Sequence, residues 1–599
     1  MIHKICLIQG ADAMKYESAL AQFRSLNQKY PDRVLYTSIA ENGKDVSTFT
    51  TRQAYDRAEQ IAHALINDYS LKSGDRVLLV YPPGLEFVEA FIGCLMAGII
   101  PVPVPPPIPL RPDLGLPGYV STVTDCQAKA QLTCQSYSVS RTFGRILGIL
   151  KPSAKWPDLP WIVTDKIQVV SGKRSVPELD PEKNQIAFLQ YTSGSTRAPR
   201  GVCISFGNLR AQTYLLKTDN LMKWDGGVGV FWMPHYHDFA LIGGIISAMC
   251  GNYEVVLFSA SSFLKRPGLW GEILTRYRAT HTGAPDFGYH LLIKKTTPEE
   301  RAKWDLSSMT VMMNAAEPIR QRTVDALLQE LKPARLNPDA FCPSYGLAEH
   351  TIAVSVHGKK RFTFKRDTLE KLGQKAHWTR LPAGDPNEVT LFGCGKPCEG
   401  VLVRIVDPET LKELPEGHVG EIWVDSENKA KGYFGRPDES AARFEAKLEG
   451  HTNTWLRTRD LGVICEGEIV ITGRLDDLLT IRGRNIYPQD AEGWVADADP
   501  RVRPGRVLAF GIQEQNQVFI VVELKEEKPS EEVMSEVASN ARIVLLQEMG
   551  LPEAVFIFVP QGTIPKTTSG KLQRNRCRAD WLAGKLSHFK VDQGLRPLE

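Results

Sequence analysis

The chain has 599 residues, too many for one hydrophobic core, so more than one domain is expected. Hydrophobic residues make up 43% and charged residues 24%, the composition of ordinary soluble globular protein. The 72 basic residues nearly balance 69 acidic ones, leaving a net charge of +3, which excludes a whole-chain electrostatic argument for nucleic acid or a membrane surface.

Eleven cysteines are scattered without a repeating spacing. The nearest pair, Cys394 and Cys398, has no second Cys or His pair close by, so both read as unpaired thiols and not as a metal site. An odd count without a framework fits a reducing compartment. The N-terminal apolar run is too short for a signal peptide, and the apolar stretch from Val88 to Pro109 is broken by Gly93, Gly98 and several prolines. A cytoplasmic protein with no stable membrane span is expected.

In chain order, Asp75 to Tyr81 reads as a buried strand and Leu85 to Ala97 as the helix after it. Pro101 to Pro109 is expected to be an extended surface turn, with an SH3-type ligand as the alternative. Trp161 to Thr164, Ile186 to Gln190 and Gly227 to Trp232 are further strand candidates, and strands separated by helices imply α/β layering with much parallel sheet. From Val401 the pattern changes. Val401–Val406, Gly420–Val424 and Glu468–Thr472 look like antiparallel strands, and a tail of one small domain's length follows Gly473–Asp477. The expected division is 1–475 and 476–599, with no internal repeat.

The strongest chemical signal is the segment from Tyr191 to Gly201, directly after a predicted strand. Hydroxyls and glycine amides packed into one loop suit phosphate oxygens, and Arg197 and Arg200 add charge. Alone, the segment reads equally well as a Ser/Thr-rich surface turn. Four further segments accompany it: Pro343–Thr351, Trp455–Gly462, Gly473–Pro488 and Ile564–Arg574. Asp460 alone would also fit a turn cap, Glu349 a surface acid, and Lys571 a solvated basic tail.

Together and in this order, the five segments resemble the adenylate-forming superfamily of acyl-CoA synthetases, luciferases and peptide-synthetase adenylation domains. The resemblance implies an α/β fold: a large N-terminal domain of layered sheets and helices with a β-rich subdomain, and a small mobile α+β C-terminal domain. It also implies ATP and Mg²⁺. Thr192, Ser193, Gly194, Ser195 and Thr196 would hold the β- and γ-phosphates, with Arg200 and Gly201 closing the loop. Arg200 stands where the family usually has lysine, so the charge survives but the geometry differs. Ala316, Glu317 and Pro318 resemble the adenine-side loop, and Ser344, Tyr345 and Gly346 would flank adenine. Asp460 would grip the ribose with Arg474 beside it, Glu349 would ligate Mg²⁺, and Asp476 would be the hinge. Lys571 would be the catalytic lysine, bridging carboxylate and α-phosphate.

Within the superfamily the chain is most similar to the fatty acyl-AMP ligases. Met233–Gly244, with His237 and Asp238, resembles their substrate motif, as does the segment Gly283, Ala284, Pro285. His237 would position the carboxylate, although such a histidine is more often packed and hydrogen-bonded only. A polar insert, roughly within 354–392, resembles the extra segment thought to restrain the small domain in these ligases; a long charged surface loop is the alternative. The implied reaction is activation of a medium- or long-chain fatty acid for transfer to the phosphopantetheine thiol of an acyl carrier protein, or of a polyketide or peptide synthase carrier domain, with no nucleic-acid partner. The chain ends soon after Lys571 without a carrier motif, so a separate partner is expected. Lys566–Lys590, with seven Lys/Arg and one Asp, would dock it or simply be solvated. An acyl-CoA synthetase and a non-catalytic nucleotide- or lipid-binding protein are the alternatives. A P-loop nucleotidase fails, because Gly562 lies too far from Gly570–Lys571 and Leu572 replaces the required Ser/Thr.

Overall fold

The structure is a computed structural model and describes residues 17–109, 115–148, 156–167, 181–192, 199–381, 384–385, 387–481, 484–512, 517–549, 551, 553–567 and 570–593. Its central feature is a seven-stranded sheet in the order Phe341–Pro343, Val311–Asn314, His281–Ala284, Asp225–Phe231, Asn252–Phe258, Val34–Ile39, Asp45–Thr50. The first six run parallel, and only Asp45–Thr50 pairs antiparallel, with Val34–Ile39. Helices on both faces bury these strands, which explains their apolar character. A second, four-stranded parallel sheet runs Ile100–Pro103, Arg76–Leu79, Ala130–Thr133, Trp161–Val163.

The proline-rich segment departs from the expected surface turn. Its start is the edge strand Ile100–Pro103, with Val102 fully buried and Val104 nearly so. Ile100 N donates to Asp75 O and Val104 N to Leu79 O, while Pro101 and Pro103 alternate with those donors. On an edge only every second N–H faces the neighbouring strand, so the missing proline donors cost no ladder bond.

Two helices carry clear start signals. Thr50 and Gln53 form a capping box before Thr51–Asn67, and Ser205 and Asn208 do the same before Phe206–Thr218. Asn208 then donates to Glu427 O and Lys429 O, tying the helix to the β-rich subdomain. That subdomain is an antiparallel sheet in the order Leu402–Val406, Gly420–Asp425, Leu456–Cys465, Glu468–Arg474.

The insert is not a loose charged loop. Arg361–Lys365 pairs with both Trp378–Thr379 and Glu388–Phe392. The alternation within Arg361–Lys365 sends Phe362 and Phe364 into a core with Val419, Leu461, Val463 and Tyr487. Its cations Lys360 and Arg380 meet Glu466 at the surface.

Residues 479–591 supply two apolar clusters of their own around the mixed sheet Val502–Ile512, Gln517–Leu524, Val555–Val559, Lys590–Asp592. A lobe with its own core keeps its packing when its neighbours change. Among the described residues, no helix is long and apolar enough to cross a membrane.

Gly93 lets the helix Leu85–Met96 pack closely on Thr51–Asn67. A side chain there would meet Ile61 Cγ2 at 2.9 Å and the Ala58 carbonyl at 3.0 Å. Gly93→Val is expected to force Leu85–Met96 from Thr51–Asn67 at a cost of about 1–3 kcal/mol. A scanning calorimetry trace in which the N-terminal transition does not move down would contradict this packing.

Candidate active site

Four neighbouring parallel strands end on one edge, where an open α/β sheet presents its ligand crevice. Beyond Asp225–Phe231 come His237 and Asp238; beyond His281–Ala284 comes Pro285; beyond Val311–Asn314 come Ala316, Glu317 and Pro318; beyond Phe341–Pro343 come Ser344, Tyr345 and Gly346. All of them line one continuous cavity of about 3280 Å³, together with Arg200, Glu349, Asp460, Arg474, Asp476 and Lys571. Sequence-distant segments are thereby brought to one place.

The hairpin expected to hold phosphate is built from Ile186–Thr192 and Arg200–Ser205, with Thr192 opposite Arg200 and Tyr191 opposite Gly201. Ser193, Gly194, Ser195 and Thr196 lie outside the described residues, as does the Thr192 side chain. Tyr191 donates to Asp125 at 2.6 Å, and Asp125 in turn holds Arg436 at 2.7 Å, which fixes the base of the hairpin. Arg200 pairs with Glu439 at 2.9 Å and lies over the Tyr433 ring at 5.2 Å. Its charge is therefore partly engaged by protein. Gly201 admits the Tyr191 ring, since a side chain there would come within 2.9 Å of it.

Asp460 and Arg474 face each other across the last two strands of the subdomain sheet. Asp460 Oδ1 is 3.1 Å from Arg474 Nε, and Asp460 Oδ2 accepts from the Tyr345 hydroxyl at 2.7 Å. Asp460, with Asp476, Asp477 and Glu349, raises the Arg474 pKa further. Tyr345 is thus anchored through its hydroxyl to the residue expected at the ribose. Asp476 accepts from Arg459 at 2.5 Å. Burial pushes its carboxyl up, but Arg459 outweighs that and holds it below the usual range.

Glu349 keeps one carboxylate oxygen on the Tyr433 hydroxyl at 2.9 Å, and no hydrogen bond among the described residues occupies the other. No group of three or more potential ligands occurs among the described residues. That arrangement suits Mg²⁺, which uses one or two carboxylates and completes its shell with substrate phosphates and water. Ser344 N donates to Asn314 O, stitching together the two loops expected beside adenine. Ala316 adopts φ 73°, Thr351 φ 64° and Arg459 φ 61°. Left-handed backbone at non-glycine residues costs energy and collects at functional sites.

His237 Nδ1 sits 2.6 Å from Asp238 Oδ1, and Asp238 also accepts from Phe239 N at 2.7 Å. Burial pushes the Asp238 carboxyl up, but His237 and then Lys571 outweigh that and hold it below the usual carboxylate range. Gly283 lies under Phe239; a side chain would be 2.4 Å from its ring edge. Ala284 is fully buried, and Pro285 starts the helix Asp286–Lys295. Near that helix start, Phe287 N donates to Glu317 at 2.6 Å.

Lys571 comes from the C-terminal lobe, on a turn closed by Thr567 N to Lys571 O at 2.8 Å and by Lys571 N to Thr567 Oγ1 at 3.0 Å. Gly570, with φ 87°, makes the turn, and a side chain there would touch the Phe287 ring at 3.7 Å. Water reaches Lys571 within the cleft, yet protein surrounds it, and this partial desolvation lowers its pKa. Asp238, Glu317 and Asp460 pull the value back up, and Arg474 opposes them. Lys571 thus faces anions from three separate segments of the N-terminal lobe.

The model for AMP-binding enzymes matches residues 23–434. The chain belongs to that family. Residues 476–591 match the model described as the Disco-interacting protein 2-like AMP domain. The chain is 36% identical over 589 residues to the medium-chain-fatty-acid–[acyl-carrier-protein] ligase JamA of Moorena producens, covering 96% of each. It is 34% identical over 574 residues to the long-chain-fatty-acid–AMP ligase FadD26 of Mycobacterium bovis, covering 91% of this chain and 94% of that one. A fatty acyl-adenylate ligase from L. pneumophila, solved with acyl adenylate and pyrophosphate, superposes with a TM-score of 0.72 at 31% identity, covering 97% and 98%. A structure from work on fatty acyl-adenylate ligases of E. coli and L. pneumophila gives a TM-score of 0.83 at 27% identity, covering 95% and 98%. Within the AMP-binding enzymes, the chain is most like the fatty acyl-AMP ligases.

Sequence reasoning missed the groups that hold this AMP-binding site together. Arg574, counted only as part of a basic tail, binds Glu492 through Nη2 at 2.7 Å and Asp477 through Nη1 at 2.9 Å. Asp477 neighbours the expected hinge, so Arg574 couples the Lys571 turn to it. Lys566 lies beside Gly505, and burial lowers it to about 8. Tyr433 and Glu439, which engage Glu349 and Arg200, sit in a segment with no recognisable motif. The signal available was arithmetic only: buried acids such as Glu492 require a cation, and only a contact map says which.

Arg574→Ala strands two buried carboxylates, a loss that ordinarily costs about 3–5 kcal/mol. The expected outcome is at least about tenfold slower ATP–pyrophosphate exchange, with the KM for ATP changed far less, because the N-terminal lobe is untouched. An unchanged exchange rate would show that the turn needs no such clamp.

Proposed function

We propose that this protein is a fatty acyl-AMP ligase: it joins a fatty acid to AMP and then passes the acyl group to a carrier-protein thiol. The observation that carries the reading is Lys571, delivered by one lobe into a crevice whose other wall supplies Asp460, Glu349 and the phosphate hairpin.

In the first step a carboxylate oxygen attacks the α-phosphorus of ATP. The bond to the bridging oxygen breaks, and pyrophosphate leaves with its electron pair. Thr192–Thr196, Arg200 and Gly201 would cradle the leaving phosphates. Ala316, Glu317, Pro318, Ser344, Tyr345 and Gly346 would enclose adenine, while Asp460, oriented by Tyr345 and Arg474, accepts from the ribose hydroxyls. Glu349 would hold Mg²⁺, which when bound offsets charge on the phosphate oxygens. Lys571 would lie between carboxylate and α-phosphate, where negative charge crowds in the transition state. His237 and Asp238 would border the carboxylate end, and Gly283, Ala284 and Pro285 would form the wall behind it.

The second step needs a thiol at the same carbonyl: sulfur attacks, AMP leaves, and the thiol proton passes to water. A thiol must displace the Lys571 turn, so the small lobe would rotate about Asp476. The insert opposes that movement. Arg366 pairs with Asp490 at 2.9 Å and lies over Trp494 at 5.7 Å, Tyr487 donates to Leu369 O at 3.0 Å, and Asn485 donates to Glu370 O at 3.0 Å. Arg322 adds a surface pair with Asp497. These contacts support an enzyme that waits for a protein-borne thiol and uses free CoA poorly.

The test is ATP–pyrophosphate exchange across fatty acids of graded length, followed by acceptor competition. Exchange with fatty acids, acyl transfer to holo-carrier protein, and little acyl-CoA are expected. Arg366→Ala should raise acyl-CoA formation severalfold by freeing the helix Pro488–Ala498. Rapid acyl-CoA formation by the unaltered enzyme would make it an acyl-CoA synthetase instead.

A further inference from the structure

Two adjacent glycines stand in the helix that walls the cavity, and the protein itself accounts for only one of them. His237 caps the start of Asp238–Ala240, which runs on through the π-helical stretch Leu241–Ile246 into Ser247–Cys250. Ser247 Oγ donates to Gly243 O at 2.7 Å and accepts from the Tyr253 hydroxyl at 2.6 Å, which holds the widened turn in place. Such turns cost helix geometry and occur frequently at functional sites.

Gly244 is explained by packing, because a side chain there would meet Phe231 Cδ2 at 3.2 Å. Gly243 is not. Its backbone is helical, so no left-handed φ demands glycine. A side chain at Gly243 would find Ile352 Cδ1 and Phe239 Cδ2 at 3.7 Å and Met222 Cε at 3.9 Å, ordinary contact distances with nothing closer. Alanine would therefore fit, and it favours a helix over glycine. Gly243, Ile352, Phe239 and Met222 all line the cavity that also holds His237 and Asp238, and the apolar Leu216 and Leu221 extend that lining. A glycine where the protein leaves room for a methyl group marks a place where a ligand comes close to the backbone.

Resting on the fatty-acid reading above, we propose that Gly243 sets the chain-length preference of this enzyme: the acyl chain lies against its bare backbone, and a side chain there would fill the space of the distal methylenes. The helix gives the depth. Gly243 follows Asp238, at the carboxylate end, by five residues. At ~1.5 Å per residue, and slightly less in the π-helical stretch, that is about 7 Å. An extended chain advances about 1.2 Å per bond, so it meets Gly243 roughly six bonds from the carboxyl group. Shorter acids end before Gly243, and longer ones must pass it. The substrate class is thus an unbranched acid long enough to pass that point.

The experiment measures kcat/KM in ATP–pyrophosphate exchange for straight-chain acids of about four to sixteen carbons, with the unaltered enzyme, Gly243→Ala and Gly243→Val. The readout is the ratio of kcat/KM for acids of about ten carbons or more to that for acids of about six or fewer. This ratio is expected to fall about threefold in Gly243→Ala and about tenfold or more in Gly243→Val. The melting temperature of Gly243→Ala should hold or rise, because the helix gains while only the ligand loses room. Gly243→Ala decides the matter even if Gly243→Val does not fold. An unchanged ratio in the folded variants overturns this inference and leaves adenylation standing. A lower melting temperature for Gly243→Ala also overturns it, since the glycine would then serve packing. No exchange by the unaltered enzyme with any acid overturns both this inference and the fatty-acid reading.

Discussion

The structure depends on one electrostatic arrangement: a lysine from the small lobe set against carboxylates of the large one. Asp238, Glu317 and Asp460 all act on Lys571 across the cleft. The described wall around it carries Glu349, Asp460, Asp238 and Glu317, with Arg200 paired to Glu439 and Arg474 paired to Asp460. In the proposed mechanism the small lobe thereby brings a cation to the wall where adenylation would take place. Arg574, bridging Glu492 and Asp477, ties the Lys571 segment to the residue beside the proposed hinge. The insert contacts through Arg366 and Leu369 hold the same lobe from the opposite side.

The large lobe contributes position rather than movement. Four parallel strands end together, so residues from Asp238 to Tyr345 reach one crevice although more than a hundred positions separate them. The antiparallel subdomain sheet adds Asp460 and Arg474 as a cross-strand pair, and Tyr345 joins the two systems through a single hydrogen bond. Left-handed backbone at Ala316, Thr351 and Arg459 clusters at these junctions, where the chain leaves regular structure to present functional groups.

Much of this was legible before any coordinates. The order of the motifs, through their resemblance to the adenylate-forming superfamily, singled out Lys571, Asp460, Glu349 and Asp476 as candidates, and all four line one cavity. The change from buried parallel strands to alternating antiparallel ones was visible at Val401, close to the start of the strand Leu402–Val406. What stayed hidden depends on distant pairing. The basic tail gave no sign that Arg574 is a buried clamp, and the polar insert masked a folded sheet whose core residues, such as Phe362, Phe364 and Leu369, are spread among many charges. Pro101 and Pro103 argued against a strand until their neighbours showed that an edge tolerates them.

The most direct measurement separates the two half-reactions in a Lys571→Met variant. Adenylate formation from fatty acid and ATP is expected to fall about 10²–10³-fold, the scale for removing one preorganised charge from a transition state. Transfer from supplied acyl-adenylate to a carrier thiol should stay within a few fold, since the lobe has then turned Lys571 away. A variant that forms acyl-adenylate at the normal rate would contradict the account.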